Sequence, residues 1–473
     1  MSARSTARSA GRTGVRSSAR TTARTNAMQR AEAPRVHATD LWTVVVFVVI
    51  VTTALWIKQG GFTALISGGA DSLLGLGRLT GMYAALFALA GLILAARPRS
   101  VERRFGLDVM LGWHRIVGIT TVSLVTLHAV VDTLGWGMSG DMNPVAALID
   151  LIRTQQWMIA ALAALILFLV IGISSWRRIR RRIAYETWYF VHLTGYLAVL
   201  LAFGHQLTLG TDITSRTLPL IWWVGLFVAS FVYILWARFG DLLRSITRGR
   251  TTLARVRQEA PGVGSVEIVG PGLRRIRASA GQFFIIRVMT KSLWWQPHPF
   301  SLSAPPTRDG IRFTIKDLGD GSSDILRAPK GTRVLLEGPY GRFTSDAAEG
   351  QKVALFGAGV GIAPIRALLE DIEPSQEPVV IVRCRAQEEV IRLAELETLV
   401  ASRNGTLHVL AGPREWFANG DPFRPDVLRK AVPDLEARHA FICGPHSFEY
   451  ALEKSLRACK VPNKQVHRER FGI

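Results

Sequence analysis

The chain has 473 residues, 49% of them hydrophobic, and a formal net charge of +21. That length admits two or three domains, and an apolar excess concentrated in the first half excludes an ordinary soluble protein. The basic charge sits in an N-terminal tail and in short loops between apolar runs, which is where membrane topology puts it and which argues against nucleic acid as a partner. The three cysteines, Cys384, Cys443 and Cys459, lie in the C-terminal third with no metal-ligand spacing, so they are expected to be thiols.

Residues 1–38 read as a disordered, basic, cytoplasmic tail. Up to residue 37 they hold eight arginines and a single acid, Glu32, and such a stretch has too little apolar surface to bury a core. Its expected role is to fix topology and touch anionic lipid. Apolar runs long enough to cross a bilayer follow near 41–57, 79–96, 109–136, 156–176, 185–208 and 218–238. Arg97, Arg99, Arg103 and Arg104 follow the second run. Five arginines between Arg177 and Arg182 follow the fourth, and Arg238, Arg244, Arg248 and Arg250 follow the sixth. The alternate loops carry few cations, so both termini are expected on the cytoplasmic side.

From about 251 the texture changes to alternating strands, among them Ser265–Val269 and Phe283–Arg287, as in an antiparallel β-barrel. After Gly350 the pattern is strand, turn and helix, repeated around Lys352–Phe356, Pro378–Arg383, Thr406–Leu410 and Ala440–Cys443. That alternation predicts a parallel α/β sheet. The expected organisation is a six-helix transmembrane bundle over 39–245, a barrel over 246–347 and an α/β domain over 348–473.

Four of the ten histidines lie inside apolar runs: His114 and His128 in the third, His192 and His205 in the fifth. An ionisable ring in hydrocarbon is costly unless paired or ligating, so these are functional candidates. Fourteen residues along a helix cover about 21 Å and return both rings of the first pair to within about 40° of one face. The second pair, 13 apart, falls about 140° out of line, which predicts a π-bulge or kink at Gly195 or Gly204. The third and fifth runs both lead outward, so His114 and His192 share the inner depth while His128 and His205 share the outer. Two facing imidazoles at each depth fit bis-histidine ligation of two haems b. Interhelical hydrogen bonds would account for lone histidines, and a proton channel or transporter would also place them here.

With a C-terminal flavin- and nucleotide-binding half, this pattern resembles the ferric reductase and NADPH oxidase superfamily over residues 40 to the C-terminus. The segment His298-Pro299-Phe300-Ser301 resembles that family's flavin motif. The resemblance implies that Phe300 stacks on FAD, that Ser301 meets its N5 and that His298 approaches the pyrophosphate. Lys316 and the turn Gly321-Ser322-Ser323 follow, where backbone N–H groups and hydroxyls suit a phosphate. The loop containing Gly357, Gly359, Gly361 and Pro364 is similar to the ferredoxin-reductase nucleotide loop. Cys443-Gly444-Pro445 resembles the element near the nicotinamide, and that motif context favours a site role for Cys443 over an ordinary buried cysteine. Phe471 is the candidate aromatic gate over the flavin. Arg383 and Arg385 end a strand where a 2′-phosphate would lie, favouring NADPH over NADH.

The resemblance implies a plasma-membrane oxidoreductase passing electrons from NAD(P)H through FAD and two haems to an Fe(III)-chelate or dioxygen. Arg78, at the outer start of the second run, is a candidate for orienting dioxygen, and Asp132 stands four residues beyond His128. A dedicated superoxide-producing oxidase is one alternative. A haem-binding sensor or anchor with a regulatory nucleotide domain is another, from a different class. Oligomeric state is not legible.

Overall fold

A computed structural model describes residues 37–470 except 215 and 248. The basic tail up to residue 36 and Phe471 therefore lie outside the described residues. The chain divides into two compact units between Gly240 and Asp241.

In the first unit, helices α1 (Ala38–Lys58), α3 (Gly69–Ala95), α5 (Leu107–Ser139), α7 (Met158–Ser175), α9 (Tyr185–Leu209) and α11 (Thr217–Thr247) match the predicted runs. Short helices α2 (Gly61–Ser67), α4 (Arg99–Phe105), α6 (Pro144–Thr154), α8 (Arg177–Arg180) and α10 (Thr211–Thr214) connect them. Among the described residues, these six are long and apolar enough to cross a bilayer. Their outward faces carry exposed Phe47, Ile50, Ile119, Ile166 and Val232, surface that lipid and not water can cover. Trp56, Met82, Leu89, Phe168, Trp223 and Phe227 fill the interior. Helix α1 opens with Asp40 accepting the His37 N–H (2.9 Å) and closes on Lys58, charges that complement the helix dipole.

Two boundaries differ from expectation. Helix α3 begins at Gly69, ten residues before the predicted run, because glycines between Gly68 and Gly81 depress the hydropathy without breaking the helix. Arg78 is thus inside α3. Helix α9 is also continuous, with no π-turn at Gly195 or Gly204. Both of its histidine rings nonetheless reach α5.

In the second unit, strands β1 (Thr252–Ala260), β2 (Val263–Val269), β3 (Phe283–Val288), β4 (His298–Ser301), β5 (Gly310–Lys316) and β6 (Val334–Tyr340) form the antiparallel barrel domain. They make two three-stranded sheets, ordered β1-β2-β5 and β4-β3-β6 and linked by a Leu302–Phe313 bridge. Phe284, Ile286, Phe313 and Leu336 fill the space between them. Helix α12 (Asp320–Arg327) joins β5 to β6.

The α/β domain has a parallel sheet ordered β11-β10-β7-β8-β9. Its strands are β7 (Val353–Ala358), β8 (Val379–Arg383), β9 (Thr406–Leu410), β10 (His439–Gly444) and β11 (Val466–Arg470). Helices α13 (Ile362–Asp371), α14 (Leu393–Ala401), α15 (Pro425–Ala431) and α16 (His446–Ala458) cover its faces. Strand β11 escaped the sequence reading because His467-Arg468-Glu469-Arg470 has no apolar alternation; it pairs at an edge.

An ion network ties this domain to the barrel. Arg366 on α13 donates to the Ser303 carbonyl (3.0 Å) and to Glu395 on α14 (2.5 Å). Arg392 bridges Glu395 (2.9 Å) and Glu259 of β1 (2.5 Å). Burial, then Arg366 and Arg392, bring the Arg312 guanidinium down to about 10, so it stays charged at neutral pH. Removing one member would strand buried charge on the others.

Candidate functional site

The membrane histidines form two pairs. His114 Nε2 lies 3.5 Å from His192 Nε2, and the rings of His128 and His205 are 6.2 Å apart and nearly parallel at 26°.

Each α5 ring is anchored on the side away from its partner. His114 Nδ1 donates to the Gly91 carbonyl and His128 Nδ1 to the Gly77 carbonyl, both at 3.0 Å. Gly77 and Gly91 are themselves 14 residues apart on α3, so antiparallel helices repeat the contact at the two depths. These bonds place the proton on Nδ1 and turn Nε2 toward the opposite helix, as a second-shell carbonyl does for a metal-ligating histidine. His192 and His205 present buried Nδ1 atoms without a hydrogen bond. Gly81 makes room for the outer ring: a Cβ there would stand 2.9 Å from His128 Cε1. Sequence reading missed these glycines because on the second run it singled out only Arg78; the only signal was their density on one span.

A cavity of about 490 Å³ opens between the outer rings, lined by His128, His205, Arg78, Asp132, Gln206 and Asp212 among others. Arg78 donates to Asp212 at 3.1 Å. Burial pushes the Asp212 carboxyl up to about 6 against the opposing pull of Arg78. Arg78 therefore reaches the predicted outer site, but with its charge already engaged.

In the barrel domain, β4 carries His298 to Ser301 alongside β3, with Ser301 opposite Phe283 and Phe300 opposite Phe284. The rings of His298 and Phe300 are parallel within 11°, 6.2 Å apart. A Cβ on Gly321 would stand 2.7 Å from His298 Cε1, so the flavin tetrapeptide and the turn opening α12 are brought together. His298 Nε2 is buried and has no partner. Burial and then Arg287 lower the His298 pKa, so the ring is a neutral donor at neutral pH. The hydroxyls of Ser322 and Ser323 are engaged, Ser323 with Asp317 (2.5 Å) and Ser322 with the Gly319 carbonyl (2.8 Å). Ser323 chiefly holds the Asp317 carboxyl below its usual range. Lys316 is exposed at the end of β5.

In the α/β domain, the glycine loop and the Cys-Gly-Pro element meet. A Cβ on Gly361 would stand 2.1 Å from the Cys443 carbonyl oxygen and 2.7 Å from Gly444 N. Gly359 takes φ +56°, and Gly357, next to last in β7, pairs with Cys443 of β10. Pro364 is buried in the first turn of α13, and Pro445 precedes α16. The Cys443 thiol is buried and donates to the Glu469 carbonyl (3.4 Å), and burial pushes its pKa well up. What this element offers the loop is backbone. Register Gly444↔Arg470 brings the chain to the residue before Phe471 at the same sheet edge.

Arg383 is taken up by the chain itself. Its guanidinium donates to the carbonyls of Cys384, Leu410 (3.0 Å) and Gly412 (2.6 Å) and lies over the Phe417 ring. Arg385 is exposed beside it.

Three family models match successive stretches: the ferric reductase like transmembrane component at residues 80–203, an FAD-binding domain at 265–344 and an oxidoreductase NAD-binding domain at 355–454. The chain belongs to the ferric reductase and NADPH oxidase superfamily. It joins six helices long and apolar enough to cross a membrane to FAD- and NAD-binding domains.

Its reductase half is 32% identical over 206 residues to the ferredoxin reductase component of a 3-ketosteroid-9-alpha-monooxygenase from Mycobacterium tuberculosis, covering 42% of this chain and 56% of that protein. It is 28% identical over 224 residues to the NADH oxidoreductase HCR of Escherichia coli, covering 45% and 65%. The chain thus spans little more than half the length of these relatives. The FAD/NAD-binding domain of a Vibrio cholerae nitric oxide dioxygenase aligns with 48% of this chain and 99% of its own, at 24% identity and a TM-score of 0.39.

Proposed function

We propose that this superfamily member moves electrons from NAD(P)H through FAD and two haems b to an acceptor on the outer side of the plasma membrane, with both termini cytoplasmic. The observation that carries the reading is the doubled pair, His114 with His192 and His128 with His205, in which each α5 ring is locked through Nδ1 to a glycine carbonyl. The residues fit the group: each depth supplies two imidazoles, His114 and His192 face each other through Nε2, and the second pair lines a cavity. When bound, the flavin takes two electrons together from nicotinamide and hands them singly to haem, which accepts one at a time.

The chain's own groups hold the cofactors in place. When FAD is bound, Phe300 would stack on the flavin, Ser301 would donate to its N5 and neutral His298 would donate to its pyrophosphate. The backbone at Gly321 and the Lys316 ammonium favour phosphate there. Gly357, Gly359 and Gly361 let the nucleotide approach the start of α13, while Gly444 and Pro445 shape the nicotinamide end and Phe471 covers the flavin. We assign the di-haem domain to 39–245, the FAD domain to 246–347 and the nucleotide domain to 348–473.

NADPH is the preferred donor, and Arg385 reads its 2′-phosphate because the Arg383 guanidinium is spent on three carbonyls. Arg385→Ala is expected to lower kcat/KM for NADPH about tenfold while leaving that for NADH within about twofold, since one charge-assisted bond contributes about 1.5–3 kcal/mol. Steady-state assays with the two donors check this; equal losses with both would mean that Arg385 does not read the 2′-phosphate.

The acceptor is an Fe(III)-chelate or dioxygen, reached through the cavity that Arg78 and Asp212 line. Purified protein given FAD and NADPH distinguishes them. Anaerobic reduction of an Fe(III)-chelate marks a ferric reductase, and superoxide dismutase-sensitive dye reduction in air marks an oxidase. No NADPH turnover with either acceptor would overturn the reading in favour of a sensor or anchor.

A further inference from the structure

The two α5 histidines share one contact and differ in another. Both give Nδ1–H to a glycine carbonyl of α3. Only His128 also has a carboxylate, Asp132 Oδ2, at 3.0 Å from the same Nδ1. Among the described residues, His114 has no such partner. Asp132 is one helical turn beyond His128, so the i,i+4 geometry of α5 presents it to the ring.

The pocket for this carboxylate is formed by Gly77. A Cβ at that position would stand 1.6 Å from Asp132 Oδ1, so any larger residue would displace the acid from the ring. Oδ1 is buried without a hydrogen bond, and Asp132 and His128 both line the outer cavity. The side chain is half-buried, its Oδ1 is shut off from solvent without a partner, and the contact its other oxygen makes is to the imidazole.

We propose that Asp132 is a positioning residue that tunes the outer haem: its carboxylate polarises His128 Nδ1–H, makes the ring a stronger donor to iron and lowers the potential of that haem relative to the inner one. The inference rests on His128 being an iron ligand. A carboxylate–histidine–metal arrangement raises ligand basicity, and a more basic ligand favours the ferric state. The inner haem, whose ligand His114 meets only a neutral carbonyl, lacks this term. The outer haem is thereby made the more reducing of the two, which suits a centre that must discharge to an external acceptor.

The test is a spectroelectrochemical titration of purified full-length protein carrying both haems, with the outer component identified as the one lost in His205→Ala. Asp132→Asn keeps an acceptor oxygen but removes the charge. The outer component is expected to shift to higher potential, changing its reduced-to-oxidised ratio about tenfold at fixed potential. The inner component and the haem content stay unchanged. Asp132→Glu, which restores the anion, should move the component back toward its original position.

An unshifted outer component with both haems bound overturns the proposal. So does loss of the outer haem in Asp132→Asn, which would make Asp132 a structural support, and so does a Glu variant behaving like the Asn variant. If the unsubstituted protein binds no haem, the ligand reading itself falls, an outcome visible before any variant is made.

Discussion

Replacing His205 by alanine will remove one low-spin haem per chain and leave the other, with a flavin that NADPH still reduces. The His205 ring is the one that faces His128 across the outer cavity, 6.2 Å centroid to centroid, and no third histidine is available at that depth among the described residues. His114 and His192 keep their own 3.5 Å approach, so the inner haem should persist. Loss of a group that only hydrogen-bonds a metal ligand costs metal sites about 10–100-fold, and loss of a ligand costs more. Transmembrane output should therefore fall about 100-fold or further, while flavin reduction by NADPH remains within about twofold. Haem quantification and single-turnover flavin reduction on the same preparation read both. Retention of two low-spin haems would remove His205 from the ligand set.

Gly361→Ala should damage the other end of the path. The new methyl would stand 2.1 Å from the Cys443 carbonyl oxygen, a contact with backbone that no side-chain rotation relieves. Either the glycine loop or the Cys443-Gly444 strand end must move, and overpacking of this kind costs about 1–3 kcal/mol. Since 1.4 kcal/mol is a factor of ten, NADPH use should weaken about ten- to a hundredfold, mainly in KM. FAD content should not change, because His298 to Ser301 and the turn at Gly321 belong to another domain. Undiminished kcat/KM would mean that the nucleotide does not use this junction.

The site was unevenly legible in the sequence. Ionisable groups in hydrocarbon are conspicuous, so the four histidines stood out. The spans were legible wherever hydropathy alone decides, and misjudged at α3, where glycine lowers the index without breaking a helix. The expected bulge in α9 is absent because a count of 100° per residue fixes where a ring starts, not where a flexible imidazole on a crossing helix ends.

Backbone partners were invisible. Nothing in the letters says that Gly77 and Gly91 offer carbonyls to His128 and His114, or that Leu410 and Gly412, about 30 residues on, occupy the guanidinium of Arg383. The Ser322–Ser323 turn was recognised, but its tie to Asp317 depends on loop geometry that composition does not specify. Strand β11 was missed for the opposite reason, since an edge strand with charged residues lacks the alternation that marks a buried one.

The most direct test of the account is haem stoichiometry and spin state in full-length protein produced with ample haem. Two low-spin, bis-histidine haems per chain, both reduced by NADPH once FAD is bound, is the predicted result. Protein that is folded and binds FAD yet shows no Soret absorption would contradict it.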